Sequence, residues 1–187
     1  MKKYLLPSIK LTIILVVVLG GLYPLLLAGI AKMAPGKGDG VTVTHNGKVV
    51  GYERIAQAFT SDKYFQPRPS AVGYNAGGSG GSNKGPSNPD YLKTVQERID
   101  TFLVHNPDVK KADIPAELVT ASASGLDPEL SPAGAYIQIA RIAKLRGIPA
   151  DKLKQLVEAN TKGPLLGLLG PATVNVLKLN VALDELK

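Results

Sequence analysis

Three serines, an aspartate and two prolines crowd one short stretch, Ser122-Ala-Ser-Gly-Leu-Asp-Pro-Glu-Leu-Ser-Pro132. Here the chain concentrates groups that can grip a polar ligand or attack one. A loop ending in a helix N-terminus can set hydroxyls, a carboxylate and free backbone N–H groups around an anion or a partner. The same residues also read as structure, since Asp127-Pro128 and Ser131-Pro132 are each a cap followed by proline. Gln138 and Arg141 fall three residues apart on the helix that follows, hence on adjoining faces, where a solvated surface explains them equally well. A hydrolase built on Ser122 or Ser124 needs a base. The two imidazoles are His45, in a turn, and His105, at a helix end, and both are expected to be exposed. No H-E-x-x-H or S-x-x-K pattern occurs,.

The Gly/Ser-rich run Gly77-Gly-Ser-Gly-Gly-Ser-Asn-Lys84 suggests a phosphate cradle, because clustered glycines let N–H groups converge on an anion,. The spacing does not fit: there is no G-x-x-x-x-G-K-[ST], and Asn83 stands where the dinucleotide fingerprint needs its third glycine,. A plain flexible loop is the simpler expectation. Cysteine is absent, which removes disulfides, thiolate catalysis and Cys-based metal sites,. The formal charge is +7, but from Ala34 onward 18 basic residues face 15 acidic ones, which gives no case for nucleic acid,.

These residues need elements to position them. Residues 34–40 form a Gly-rich linker, and Val41–Thr44, Asn46-Gly47 and Lys48–Tyr52 predict a β-hairpin with a type I′ turn,. Glu53–Phe59 carries a short helical pattern through Ile55, Ala56 and Phe59. Residues 73–89 are irregular. Asn88-Pro89 opens a helix to about Val104 that buries Leu92, Val95, Ile99, Phe102 and Leu103 and leaves Lys93, Glu97, Arg98 and Asp100 to solvent,. Leu118–Ala123 is strand-like. A second helix runs from Ser131-Pro132 to Arg146 and stops at Gly147, and a third covers Asp151–Ala159. Residues 172–186 fit strand and helix alike. Strands early and helices late predict an α+β class.

Leu11–Ala31 is twenty-one residues without a charge, about 30 Å as a helix, enough to cross a bilayer once,. A secretory signal is the other reading, with Lys2 and Lys3 ahead of the run and Gly29-Ile30-Ala31 at its end, but the run is long for one. Lys2, Lys3 and Lys10 outweigh Lys32 and Lys37 offset by Asp39, which keeps the N-terminus cytoplasmic. The expected organisation is a short tail (1–10), a transmembrane helix (11–31), a linker (32–40) and a globular extracytoplasmic domain (41–187).

Several motifs, taken in order, carry a resemblance. They are Tyr64-Phe-Gln-Pro-Arg-Pro-Ser-Ala71, Ser79-Gly-Gly-Ser-Asn83 with Gly85-Pro86, Leu118-Val-Thr-Ala-Ser122, Ser124-Gly-Leu-Asp-Pro128 with Ser131-Pro132, Arg141 through Arg146-Gly147, and Val174-Asn-Val-Leu177 with Leu179-Asn180. Together with the single N-terminal span, this pattern resembles the C subunit of the Kdp-type potassium-transporting ATPase along essentially the whole chain. Pro67, Ala123 and Glu129 depart from the family's usual glycine, glycine and histidine. Val72-Gly73-Tyr74 matches part of a potassium-filter strand, but lacks its flanking residues and is coincidental. The resemblance implies a non-catalytic accessory subunit of a bacterial inner-membrane pump. Its partners are a channel-like potassium-translocating subunit, a P-type ATP-hydrolysing subunit and membrane lipid; ATP and potassium are handled by the complex, with no cofactor or metal bound directly. It also implies a catalytic-chaperone role raising ATP affinity, with Gln138 as the nucleotide candidate. Residues of the shared motifs expected to hold the domain's shape or meet partners are Arg68, Ser70, Ser79, Ser82, Asn83, Ser122, Ser124, Asp127, Arg141 and Asn175. Rival readings are a pilin-like subunit, which lacks its Gly-Phe-Thr-x-x-x-Glu processing signature here, and an anchored serine hydrolase.

Overall fold

Lys2 to Ala31 is helical throughout: α1 (Lys2–Val17), one π-helical turn (Val18–Leu22) and α2 (Tyr23–Ala31), in a computed structural model that describes residues 2–186. The wide turn has a local cause. Pro24 has no N–H, and its ring crowds the carbonyl four residues back. The Tyr23 N–H, just ahead of it, reaches five residues back to the Val18 carbonyl, and the extra residue lets the helix pass the proline,. Residues ahead of the apolar run continue the same helix, so that Lys3–Ala31 is the one segment among the described residues long and apolar enough to cross a membrane. The chain divides into two compact units, Met1–Val41 and Thr42–Lys187; the second is called the head below.

The head opens on β1 (Thr42–His45) and β2 (Lys48–Tyr52), antiparallel, with a bulge between Val43 and Thr44,. Asn46 and Gly47 hold φ of 50° and 73°, the two positive values that a type I′ turn demands,. The short helix expected over Glu53–Phe59 does not form. Seven residues cannot repay helix nucleation alone, and the Ala56 N–H instead bonds to the Leu126 carbonyl at 2.9 Å.

α3 (Pro89–His105) begins as the sequence predicts, with Asn88 Oδ1 accepting the Tyr91 N–H and proline at the first position. Its buried stripe is narrower than the pattern: Phe102 is buried, whereas Leu92 is 52% exposed. Arg98, assigned to solvent, instead donates to the Val119 carbonyl. Leu118–Ala123 is not a strand. A 3-10 turn over Ala116–Leu118 precedes it, and both the N–H and the hydroxyl of Thr120 fold back onto the Ala116 carbonyl, so the chain turns where a strand would extend,.

The second helix starts on Ser131 as cap but breaks into α4 (Pro132–Tyr136) and α5 (Ile139–Arg146). Gln138 causes the break. Its side-chain amide takes the Gly134 carbonyl, the acceptor its own backbone N–H would use, and that N–H shifts to Ala135,. Gly147, at φ 68°, ends α5, and α6 (Ala150–Ala159) turns Leu153 and Val157 inward. The ambiguous last segment is both things in turn, β5 (Thr173–Asn175) and then α7 (Val176–Glu185). A small antiparallel sheet has β5 between β3 (Glu129–Leu130) and β4 (Thr161–Lys162). Phe65, Phe102, Leu130, Ile142, Leu153, Val174, Leu179 and Leu183 make the centre of one core, and the fold class is α+β.

Asn175 is the hinge between β5 and α7. Its Oδ1 caps the Lys178 N–H at 3.0 Å, and its amide donates to the Glu53 carbonyl at 2.7 Å. Asn175→Ala is expected to cost about 1–2 kcal/mol, the usual loss of a helix cap, read by urea denaturation of the full-length chain in detergent.

Candidate functional site

Residues 62–69 pass through the head without regular secondary structure. Their backbone polar groups therefore need partners other than a strand or helix ladder. Side chains from α5, from Gln138 just ahead of it and from α7 supply them. Asn180 accepts from the Phe65 N–H and donates to the Phe65 carbonyl, both at 2.9 Å. Gln138 does the same one residue on, accepting from the Gln66 N–H at 2.8 Å and donating to its carbonyl at 3.2 Å. Arg146 Nε donates to the Lys63 carbonyl at 2.7 Å. Each amide imitates a neighbouring peptide group, so Phe65 is delivered to the core with no exposed surface.

Arg141 locks this clamp. Nη1 donates to the carbonyls of Asp62 and Tyr64, Nε to Asn106 Oδ1 at 2.9 Å and Nη2 to Gln138 Oε1 at 2.9 Å. The Asp62 carboxylate stands 3.7 Å from Nη1 and 2.9 Å from His105 Nδ1. Burial draws the Arg141 guanidinium below its ordinary pKa, and the charge of Asp62 acts in the opposite sense,. The fork geometry is what matters: one planar group satisfies four acceptors at once.

A second cluster interlocks two loops. Arg68 Nη1 pairs with Asp127 Oδ2 at 2.8 Å, while Asp127 Oδ1 caps the Glu129 N–H. The Ser70 hydroxyl donates to the Gly125 carbonyl at 2.6 Å and accepts from the N–H groups of Val72 and Tyr74. The Ser124 carbonyl accepts from the Gly80 N–H and the Ser79 hydroxyl, and its own hydroxyl accepts from the Leu126 N–H. Ser122 is buried, and its N–H donates to the Pro69 carbonyl. A Cβ on Gly81 would sit 2.9 Å from the Ala123 carbonyl oxygen, so these loops touch backbone to backbone. The Gly/Ser run is thus pinned and not merely flexible.

Tyr74 closes the second cluster, its N–H donating to the Ser70 hydroxyl and its own hydroxyl to the Arg68 carbonyl at 2.8 Å. Burial raises its pKa, with nearby Arg98 opposing. Above pH 10 the unfolded tyrosine loses its proton before the folded one, so the unfolded state binds fewer protons and stability falls as pH rises through the folded pKa. Tyr74→Phe is expected to flatten that alkaline decline, measured as urea midpoints from pH 8 to pH 11.

Arg68, Ser70, Ser79, Ser122, Ser124 and Asp127 therefore come together, and Arg141 and Gln138 join the adjacent clamp. Asn175 works at the β5–α7 junction, while Ser82 and Asn83 remain exposed on the outer part of their loop. Gln138 and Arg141 are not on a solvated face: both are buried. The histidines are half-buried beside carboxylates, His105 on Asp62 and His45 at 3.5 Å from Glu185. Gly77-Gly-Ser-Gly-Gly81 satisfies G-x-S-x-G spacing, yet it lies in an irregular loop and not on a strand-to-helix turn,. Among the described residues no imidazole or lysine amine bonds to the hydroxyls of Ser70, Ser79 or Ser124, and no group of three His, Asp or Glu could hold a metal ion. Such an arrangement fixes a shape. Most of its polar groups are engaged by the chain's own backbone and side chains, while Arg68 Nε is buried without a partner among the described residues.

Asn180 stands in the shared motif Leu179-Asn180 and Tyr74 in Val72-Gly73-Tyr74, but neither they nor Asp62 and Asn106 were assigned a role from the sequence. The available signal was an amide, Asn180, set among the apolar positions Leu179, Val181 and Leu183; Tyr74 and Asp62 gave none.

One helix long and apolar enough to cross a membrane, and one α+β head organised around loop–loop contacts, fit a membrane-associated, single-pass chain. The family profile described as "K+-transporting ATPase, c chain" matches residues 5–185. Proteins named potassium-transporting ATPase KdpC subunit are similar to this chain along nearly their whole length. That of Flavobacterium psychrophilum is 58% identical over 96% of both chains, and that of Flavobacterium johnsoniae 56% identical over 99% of this chain and 100% of its own. That of Bacteroides fragilis is 50% identical over 99% of this chain and 98% of its own. The chain belongs to the family of the K+-transporting ATPase c chain.

Proposed function

We propose that this chain is a non-catalytic accessory subunit of an ATP-driven potassium import pump. Its single helix packs in the bacterial inner membrane against a channel-like potassium-translocating subunit and a P-type ATP-hydrolysing subunit. Its head stands on the extracytoplasmic side, over the potassium entrance, and holds the assembly together. Family membership over residues 5–185 carries this reading. The inward-facing polar groups of the head support it, because a domain whose serines and guanidiniums hold its own backbone works through the surface it presents.

A catalytic-chaperone role fits the same arrangement only indirectly. An extracytoplasmic head does not meet ATP, so it raises nucleotide affinity by favouring one conformational state of the pump through the membrane helices. Gln138, with both amide atoms engaged inside the clamp, then acts by fixing the head's shape.

Ser87 is exposed and the chain has no cysteine, which makes topology directly testable. In the intact complex, Ser87→Cys is expected to react with a membrane-impermeant maleimide in whole cells. Protection until lysis would overturn the outside placement.

A further inference from the structure

β4 and β5 are joined by residues 163–172, ten residues without a charge. The loop is a small finger. Leu165 and Leu169 exchange backbone bonds at 2.8 and 2.9 Å, and the Gly167 N–H closes onto the Pro164 carbonyl. Leu165, Leu166, Leu168 and Leu169 are 65%, 84%, 87% and 61% exposed, so the finger is apolar on every side. The other exposed large apolar side chains of the head, Val49, Tyr52, Leu92, Val104, Tyr136 and Leu145, are nowhere adjacent in the chain, whereas these four fall within five residues on one protrusion,.

Leu166 adds a second, independent pointer. It holds φ 55° and is followed by Gly167 at 73°. A bulky residue is strained in that region, where asparagine or glycine is favoured. With its side chain in water, leucine contributes nothing to the fold that repays this strain.

We infer that this finger inserts into a concave apolar socket on another subunit of the same pump, which rests on the accessory-subunit reading above. A convex tip that is apolar all round needs a surface that surrounds it, which a flat face does not offer. Lipid surrounds too, but the Leu166 N–H and the carbonyls of Leu166, Gly167 and Leu168 have no partner among the described residues. Hydrocarbon leaves such groups unpaired, whereas a protein socket can meet them with its own hydrogen-bonding groups. The hollow at the finger's base is lined by the Lys178–Glu53 ion pair and by Arg54, Lys162 and Glu129, which form no ion pair among the described residues, so the two exposed cations outnumber the one free carboxylate. The socket therefore has an apolar floor with backbone-pairing groups and an acidic rim.

The test uses the full-length chain expressed with its pump. Leu166→Asn suits the positive-φ position better than leucine, and Leu168→Asn replaces a side chain that is 87% exposed, so the melting temperature of the chain is expected to hold or rise,. Recovery of the partner subunits with it in mild detergent is expected to fall at least tenfold. A bimane label on Leu168→Cys is expected to shift to the blue only in the assembled complex and to resist quenching by brominated lipid. Undiminished recovery with the double variant, or a label that remains water-exposed in the complex, overturns the socket while leaving the accessory role standing. Quenching by brominated lipid in the chain alone assigns the finger to the bilayer and overturns it as well. A wild-type chain that brings down no partner overturns the accessory reading and the socket with it.

Discussion

Arg141→Leu is expected to lower the unfolding free energy of the head by about 3–5 kcal/mol, the range seen when one member of a buried charged network is removed. At roughly 2–4 °C per kcal/mol for a domain of this size, the melting temperature drops by roughly 10 °C. The loss follows from what stays behind. Gln138 Oε1, Asn106 Oδ1 and the carbonyls of Asp62 and Tyr64 all accept from the one guanidinium, and leucine leaves the last three without a donor, while Gln138 Oε1 keeps only the Gln66 N–H,. Arg141→Lys is expected to recover only part of the loss, because a single ammonium cannot reach acceptors spread around a planar fork. Unfolding of the full-length variants in detergent, followed by circular dichroism, measures both. A change under 1 kcal/mol in the leucine variant would show that the clamp does not hold residues 62–66.

Gly125→Val probes the loop interlock in the same way. Gly125 sits at φ 68°, and a Cβ there would stand 2.6 Å from Val72 Cγ2, 2.9 Å from the Gly80 carbonyl oxygen and 3.1 Å from the Ser70 hydroxyl. The left-handed conformation costs a side-chain-bearing residue about 1–2 kcal/mol. Overpacking adds about 1–3 kcal/mol, so the total is about 2–5 kcal/mol. Gly147→Ala is the control. It has the same φ of 68° with nothing within 4 Å of its Cβ, so it is expected to show the conformational cost alone. Faster hydrogen exchange at the Gly80 and Leu126 amides of the valine variant would locate the damage at the crossing of the two loops. Equal effects at positions 125 and 147 would mean the crossing is not closely packed.

What was legible in the sequence was whatever is decided within a few residues. Asn46-Gly47 specifies its turn, Asn88-Pro89 and Ser131-Pro132 specify helix starts, and Gly147 specifies a stop, each through backbone chemistry that does not depend on the rest of the fold. Leu118–Ala123 misled because its composition favours a strand, while Thr120 turns the chain back on Ala116. Glu53–Phe59 misled because its apolar residues serve long-range contacts. The site divides along the same line. Arg68 and Asp127, 59 residues apart, were each marked by motif, but their pairing is tertiary. The roles of Gln138 and Arg141 were hidden for a further reason. Polar side chains on a helix ordinarily face water, and nothing local tells that residues 62–66, more than seventy positions earlier, arrive needing hydrogen-bond partners.

The central claim, that this chain acts by joining other subunits, is tested most directly by purifying the tagged full-length protein from native membranes in mild detergent. The expected result is recovery of two larger polytopic subunits with potassium-stimulated ATP hydrolysis in the eluate, and loss of both on Gly125→Val. A wild-type chain recovered alone, or one that turns over a substrate by itself, would contradict it.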